Sequence, residues 1–182
     1  SIDITRSVLN GDNDAGVGGG TVALELADSS VAGDVRLNGG NVLSSDVWLT
    51  NASVAGHLYG GVQNSTLHLA GTTQFDGAQF SQFSNLNVSG DLTLAGGFSN
   101  ANVGAGLNVS GDTLIVPVQL STGKLAFDNT RLVSETFSLQ AGASLLMANQ
   151  SQLQTRSDQL FNASASEMLP EGFNESGARL TL

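Results

Sequence analysis

Hydrophobic and polar positions alternate with a period of two along most of this chain, in segments of about three to five residues. Val22-Ala-Leu24-Glu-Leu26, Val35-Arg-Leu37, Val47-Trp-Leu49, Leu67-His-Leu69, Leu86-Asn-Val88 and Leu92-Thr-Leu94 carry the pattern. Leu107-Asn-Val109, Leu114-Ile-Val116-Pro-Val118, Leu125-Ala-Phe127, Phe137-Ser-Leu139 and Leu145-Leu-Met147 continue it. Such alternation sends one set of side chains into a core and the other into solvent, and so predicts short β-strands. Between them stand Asn38-Gly-Gly40, Asn51-Ala-Ser53, Ala70-Gly-Thr72, Gly96-Gly97 and Asp128-Asn129. These residue types accept a positive φ or hydrogen-bond their own backbone, which suits corners.

A short phrase recurs. Val31-Ala-Gly-Asp-Val-Arg-Leu-Asn-Gly-Gly40 is echoed by Val54-Ala-Gly-His-Leu-Tyr-Gly-Gly61, by Val88-Ser-Gly-Asp-Leu-Thr-Leu-Ala-Gly-Gly97 and in part by Val109-Ser-Gly-Asp-Thr-Leu-Ile115. Recurrence at this spacing means stacked units. An antiparallel sandwich would use longer strands and tight hairpins, for which Asn10-Gly11 and Asn38-Gly39 are the available signals. Short strands with frequent corners fit an all-β parallel β-helix, or solenoid, better. At about twenty residues per coil, roughly eight or nine coils would make a rod of about 40 Å. Residues 1–20 read as an entry strand followed by a Gly/Asp-rich loop, and 21–150 as the repeats. Residues 151–182 read as an irregular capping or inserted segment that rejoins the rod at Ala178–Leu182. Within it, Ser157 to Leu169 could form a short helix ended by Pro170.

Composition narrows the function classes. Hydrophobic residues make up 40% of the 182, enough for a core, while only 12% are charged, which argues against disorder. The net charge is −10 and the six Lys and Arg are scattered, so no phosphate-binding surface for nucleic acid or anionic lipid is built. Without cysteine there is no disulfide framework and no thiolate metal site, which suits a bacterial protein exported unfolded. No signal peptide or apolar membrane-spanning run is visible, and both ends read as strand, as in a piece of a longer chain.

Candidate chemistry is thin. Asp12 and Asp14 in the Gly-rich loop offer oxygen ligands for calcium, but the terminal bidentate Glu of a hand-type loop is missing, and no other cofactor is implied. His57 and His68 read as surface residues, and no Gly-x-Ser-x-Gly elbow supports a Ser-His-Asp triad. Asp34, Asp46, Asp91 and Asp112 follow Gly or Ser, and a turn role explains them economically, although paired carboxylates could cleave polysaccharide. Trp48 alternates outward, with Tyr59 expected near it one coil later, and the two are candidates to stack on a sugar or anchor a partner. Phe75, Phe80, Phe83 and Phe98 read as core or loop fillers. Asn-x-Ser/Thr triplets occur at Asn51, Asn64, Asn87, Asn108, Asn149, Asn162 and Asn174, two of them generated by the repeat itself.

The phrase at 86–97, with its relative at 31–40, resembles the passenger domains of bacterial autotransporter and two-partner-secretion adhesins, over roughly residues 21–150. The resemblance implies a right-handed β-helix exported to the cell surface or secreted, with roles in attachment, aggregation or biofilm formation. The expected function is thus a non-enzymatic adhesin fragment. Its partners would be further copies of itself, or a glycan or matrix protein of a host or neighbouring cell. A polysaccharide-cleaving enzyme, a phage-type depolymerase or a polymer-forming scaffold on the same solenoid are the alternatives, because many functions share this fold.

Overall fold

The computed structural model describes residues 2–11, 13–61, 63–140, 142–155 and 179–181. It is a β-solenoid of about seven turns with parallel pairing throughout the described strands. One face is built by Ile2–Thr5, the ends of Asn13–Ala27 and Val35–Thr50, then Thr66–Ala70, the starts of Asn85–Thr93 and Leu107–Ile115, Gly123–Asp128 and Ala143–Ala148. A second face begins with Val8–Leu9, Ser30–Val31 and Ser53–Val54, and in later coils holds Arg131–Ser134 and Gln152–Thr155. Arg179–Thr181 pairs in parallel with this last strand. A third face carries Leu58–Tyr59, Phe80–Ser81, Val118–Leu120 and Phe137–Leu139. The helix expected over 157–169 lies outside the described residues.

The core is a column. On the first face Leu24, Val47, Leu67, Leu86, Val109, Phe127 and Met147 occupy successive coils in register, all buried. Each packs on the residue one coil away at about the 4.8 Å strand spacing, so every apolar side chain is covered by its sequence counterpart. Within the same core Phe75, Phe80, Phe83 and Phe98 gather: Phe80 lies 5.8 Å from Phe75, 6.1 Å from Phe83 and 6.2 Å from Phe98, ring centre to ring centre.

One corner repeats in every coil. The residue after each first-face strand has positive φ: Arg6 (51°), Asp28 (49°), Asn51 (49°), Gly71 (68°), Gly90 (79°), Gly111 (120°), Asn129 (49°) and Asn149 (49°). Gly, Asn and Asp tolerate this left-handed conformation best, which explains seven-fold use of three residue types interrupted only by Arg6. Just beyond it, buried hydroxyls bond backwards: Ser29 Oγ donates to Ala27 O (2.7 Å), Thr73 Oγ1 to Ala70 O (2.8 Å), Thr130 Oγ1 to Asp128 O (2.9 Å) and Ser151 Oγ to Ala148 O (2.6 Å). The chain bends inward there, and the hydroxyls give the corner carbonyls a local partner beside the backbone N–H groups of the neighbouring coil that Ala27, Ala70 and Ala148 also accept.

Three expectations change. The described residues make about seven turns where eight or nine coils were expected for the whole chain, and the coils vary in length, with Val109 beside Phe127 but Leu24 beside Val47. The Gly-rich stretch expected as a loop runs within the 15-residue strand Asn13–Ala27, whose ladder to Val35–Thr50 bends through register shifts between Asp14 and Gly16 and between Val17 and Gly20. Glycine lets the pairing follow the bend instead of stopping. Finally, the recurring phrase occupies two different corners. In its first two copies Val31 and Val54 belong to the second face, whereas Val88 belongs to the first. Asp34 therefore does not share a corner with Asp91 and Asp112.

Candidate functional site

Trp48 and His68 are paired residues in adjacent coils, both on the solvent side of the first face. Their rings stack at 4.7 Å with only 5° between planes. Asn87 is next in register, and its Nδ2 lies 3.1 Å from His68 Nδ1. Ser110 follows, its Oγ donating to Asn87 Oδ1 at 2.6 Å. Because the Asn87 oxygen accepts from Ser110, its amide donates to His68, whose own proton then sits on Nε2. The next column repeats the device, with Asn108 Nδ2 donating to Asn85 Oδ1 at 3.2 Å. Parallel in-register strands put like positions one above another, so outward side chains form ladders along the rod axis. Trp48 remains 37% exposed.

Tyr59 is not beside Trp48. It pairs with Arg36 on the third face, where the Arg36 guanidinium lies 5.8 Å from its ring centre. Trp48 and Tyr59 separate because Leu58–Tyr59 continues the beginning of Val35–Thr50, while Thr66–Ala70 continues its end. Around Tyr59 the structure gathers groups that the sequence left apart. Asp34 Oδ2 accepts from Arg36 Nη2 at 2.6 Å, and Asp34 Oδ1 accepts from the His57 backbone N–H at 2.7 Å. The His57 ring lies 4.3 Å from that of Tyr59, and its Nε2 lies 3.1 Å from Ser81 Oγ. This brings Ser, His and Asp together, but Asp34 holds the backbone of His57 rather than its ring. The hydrogen-bond relay of a triad is not what these contacts build. A sequence signal for the cluster existed in the spacing of Asp34 and His57, one coil apart.

Asp91 and Asp112 lie at the repeated left-handed corner, and Asp112 Oδ2 accepts from Gly90 N at 2.8 Å. With Thr113, Arg131, Gln150 and Gln152 they line an open groove of about 540 Å³. Asp46 stands on the first face, two positions before Trp48 and opposite Thr66. Of the proposed calcium ligands, Asp12 lies outside the described residues, and Asp14 is paired in a strand opposite Arg36. Among the described residues no three His, Asp or Glu side chains gather as a metal site would require.

Both imidazoles are held below their ordinary 6.5, chiefly because burial disfavours the charged ring, with Asp34 opposing this at His57 and Asp46 at His68. In the unfolded chain they protonate at the ordinary value, so the unfolded state binds more protons just below it. Stability should therefore begin to fall as pH drops through 6.5, before most carboxylates titrate. The melting temperature at pH 5.5 is expected below that at pH 7.5. A His57→Gln, His68→Gln double variant should flatten the difference; an unchanged slope would locate it elsewhere.

Compared with protein-family models, with curated proteins and with solved structures, the chain finds no match in any of the three. The class that the fold defines is a parallel β-solenoid with side-chain ladders on its faces.

Proposed function

We propose that this chain is a non-enzymatic adhesin fragment of the bacterial cell surface, mediating attachment, cell aggregation or biofilm formation through extended contact along the rod. The observation that carries this reading is the outward ladder of Trp48, His68, Asn87 and Ser110, with Asn85 and Asn108 beside it. A face on which outward polar or aromatic groups follow one another in successive coils suits a long partner, since many weak contacts add along one axis. The partner is a second copy of the rod, or a glycan or matrix protein on an opposing cell. Mixed stacking and hydrogen bonding also resembles the anchor-and-rim composition of protein interfaces.

The test is display of the chain on inert beads or on non-adherent cells. Clumping that rises with surface density, or attachment to immobilised glycans and matrix proteins, is the expected result. Particles that neither clump nor attach would sink the reading. A second reading, glycan cleavage, is favoured only by the groove holding Asp91 and Asp112. Release of reducing ends from a polysaccharide panel, abolished by Asp112→Asn, would establish it in place of the first.

A further inference from the structure

Asn-x-Ser/Thr is the triplet at which a sugar is joined to a side-chain amide, and among the described residues it stands at Asn51, Asn64, Asn87, Asn108 and Asn149. Transfer needs an amide nitrogen free to react and the triplet's hydroxyl within reach of the transferring enzyme. The fold commits four of these amides elsewhere. Asn51 Nδ2 donates to Asp28 Oδ1 at 3.1 Å, and its Oδ1 accepts from Thr72 N at 2.8 Å. Asn87 and Asn108 lie within ladder strands, their amides donating to His68 and Asn85. Asn149 Nδ2 donates to Asp128 Oδ1 at 2.6 Å, and the hydroxyl of its triplet, on Ser151, is buried and donates to Ala148 O.

Asn64 differs in each respect. It is exposed, stands outside any strand at a corner with φ 40°, and its side chain makes no hydrogen bond among the described residues. Ser65, the middle of its triplet, is fully buried, and its Oγ accepts from Ser45 N at 2.9 Å. That contact pins the triplet to the rod with Asn64 outside it. Thr66 then opens the strand Thr66–Ala70 on the solvent side, in register with Asp46 and Asn85. We propose that Asn64 is the acceptor of an N-linked sugar, its Nδ2 attacking the anomeric carbon of a nucleotide-activated hexose held by a transferase. The C1–N bond forms as the bond from C1 to the phosphate oxygen breaks. The nucleoside diphosphate leaves with the bonding pair, and the amide gives up one proton to a base of the transferase. A sugar on Asn64 disturbs no ladder contact, whereas one on Asn87 would crowd its contact with His68.

The test presents the folded chain, with Asn162→Gln and Asn174→Gln, to a glycosyltransferase and its nucleotide-activated hexose. The enzyme is chosen because it modifies free peptides of residues 60–70 and 84–93 at similar rates, so that any selectivity in the chain comes from the fold. Peptide mapping by mass spectrometry locates the sugar. The expected result is a single hexose on Asn64, with incorporation at Asn51, Asn87, Asn108 and Asn149 slower by about tenfold or more. Asn64→Gly, which keeps the positive φ, should abolish it. Thr66→Val, which suits the strand but lacks the hydroxyl, should slow it by about tenfold or more, and Thr66→Ser should retain it. Circular dichroism verifies that each variant is folded. A folded chain left unmodified at Asn64 while the peptide reacts would overturn the proposal. So would modification of Asn87 or Asn108 at a rate equal to that of Asn64, because the committed amides would then be no barrier. A melting temperature lowered by the sugar would mean that the Asn64 amide holds the corner, and this too overturns it. Bead clumping has no bearing on any of these outcomes, so the adhesive reading stands or falls separately.

Discussion

Gly111→Ala should destabilise the solenoid by about 3 kcal/mol or more, whereas Gly90→Ala should cost only about 1 kcal/mol, although both glycines stand in the same Val-Ser-Gly-Asp phrase. The two occupy one corner in successive coils, at φ +120° and +79°. At Gly90 an added Cβ would meet nothing within 4 Å, so alanine carries only the strain of a left-handed backbone. At Gly111 the same atom would fall 1.8 Å from Val88 O and 2.8 Å from its carbonyl carbon. That obstacle is backbone, in a strand fixed by its own ladder, and it cannot rotate aside. Either Val88 gives up its pairing with Gly111 or the corner moves, and both disturb the buried Leu86–Val109 step. Urea denaturation of the two variants measures the contrast. Equal losses would mean that the corner relaxes freely and that backbone proximity does not constrain it.

This pair also marks how far the sequence could be read. Period-two alternation and corner residues were sufficient for the parallel solenoid, because a column core needs only that each coil present apolar residues inward. The outward setting of Trp48 followed from the same rule, whereas Phe75, Phe80, Phe83 and Phe98, outside the alternating segments, read only as core or loop fillers and are buried. Register did not. Gly33 and Gly90 sit in nearly identical phrases, yet one lies at the corner leaving the second face and the other at the corner leaving the first. Each corner asks for a small residue followed by a polar one, so local sequence cannot tell them apart. The partner of Trp48 was missed for the same reason. Counting from the phrase pointed to Tyr59, while the actual neighbour, His68, depends on a coil whose length is set by how the chain rounds Gly60 and Gly61. An added Cβ on Gly60 would meet Gln82 O at 2.7 Å, and one on Gly61 would meet Ser44 Cα at 2.8 Å. Those are contacts between coils, invisible until the stack exists.

Phe80→Ala should lower stability by about 3–5 kcal/mol and, beyond that, split one unfolding transition into two. Phe80 is fully buried and touches Phe75 and Phe83 in its own part of the rod and Phe98 in the next coil. Its carbonyl accepts from Asn102 Nδ2, which also donates to Gly77 O, so the block ties the middle coils together by backbone as well. In a solenoid each coil is stabilised by its neighbours alone, and cooperativity survives only while every interface is stronger than the cost of a break. Removing the largest side chain at one interface creates the weakest link in the column. Trp48 lies on the N-terminal side of that link, so its fluorescence follows the early coils while far-ultraviolet circular dichroism follows all of them. The two probes should coincide in the parent chain and separate in Phe80→Ala. Phe80→Leu, which refills most of the volume, should restore coincidence at a smaller loss. Coincident curves in Phe80→Ala, displaced to lower urea, would mean that the remaining column of Leu67, Leu86 and Val109 is enough to keep the coils unfolding as one.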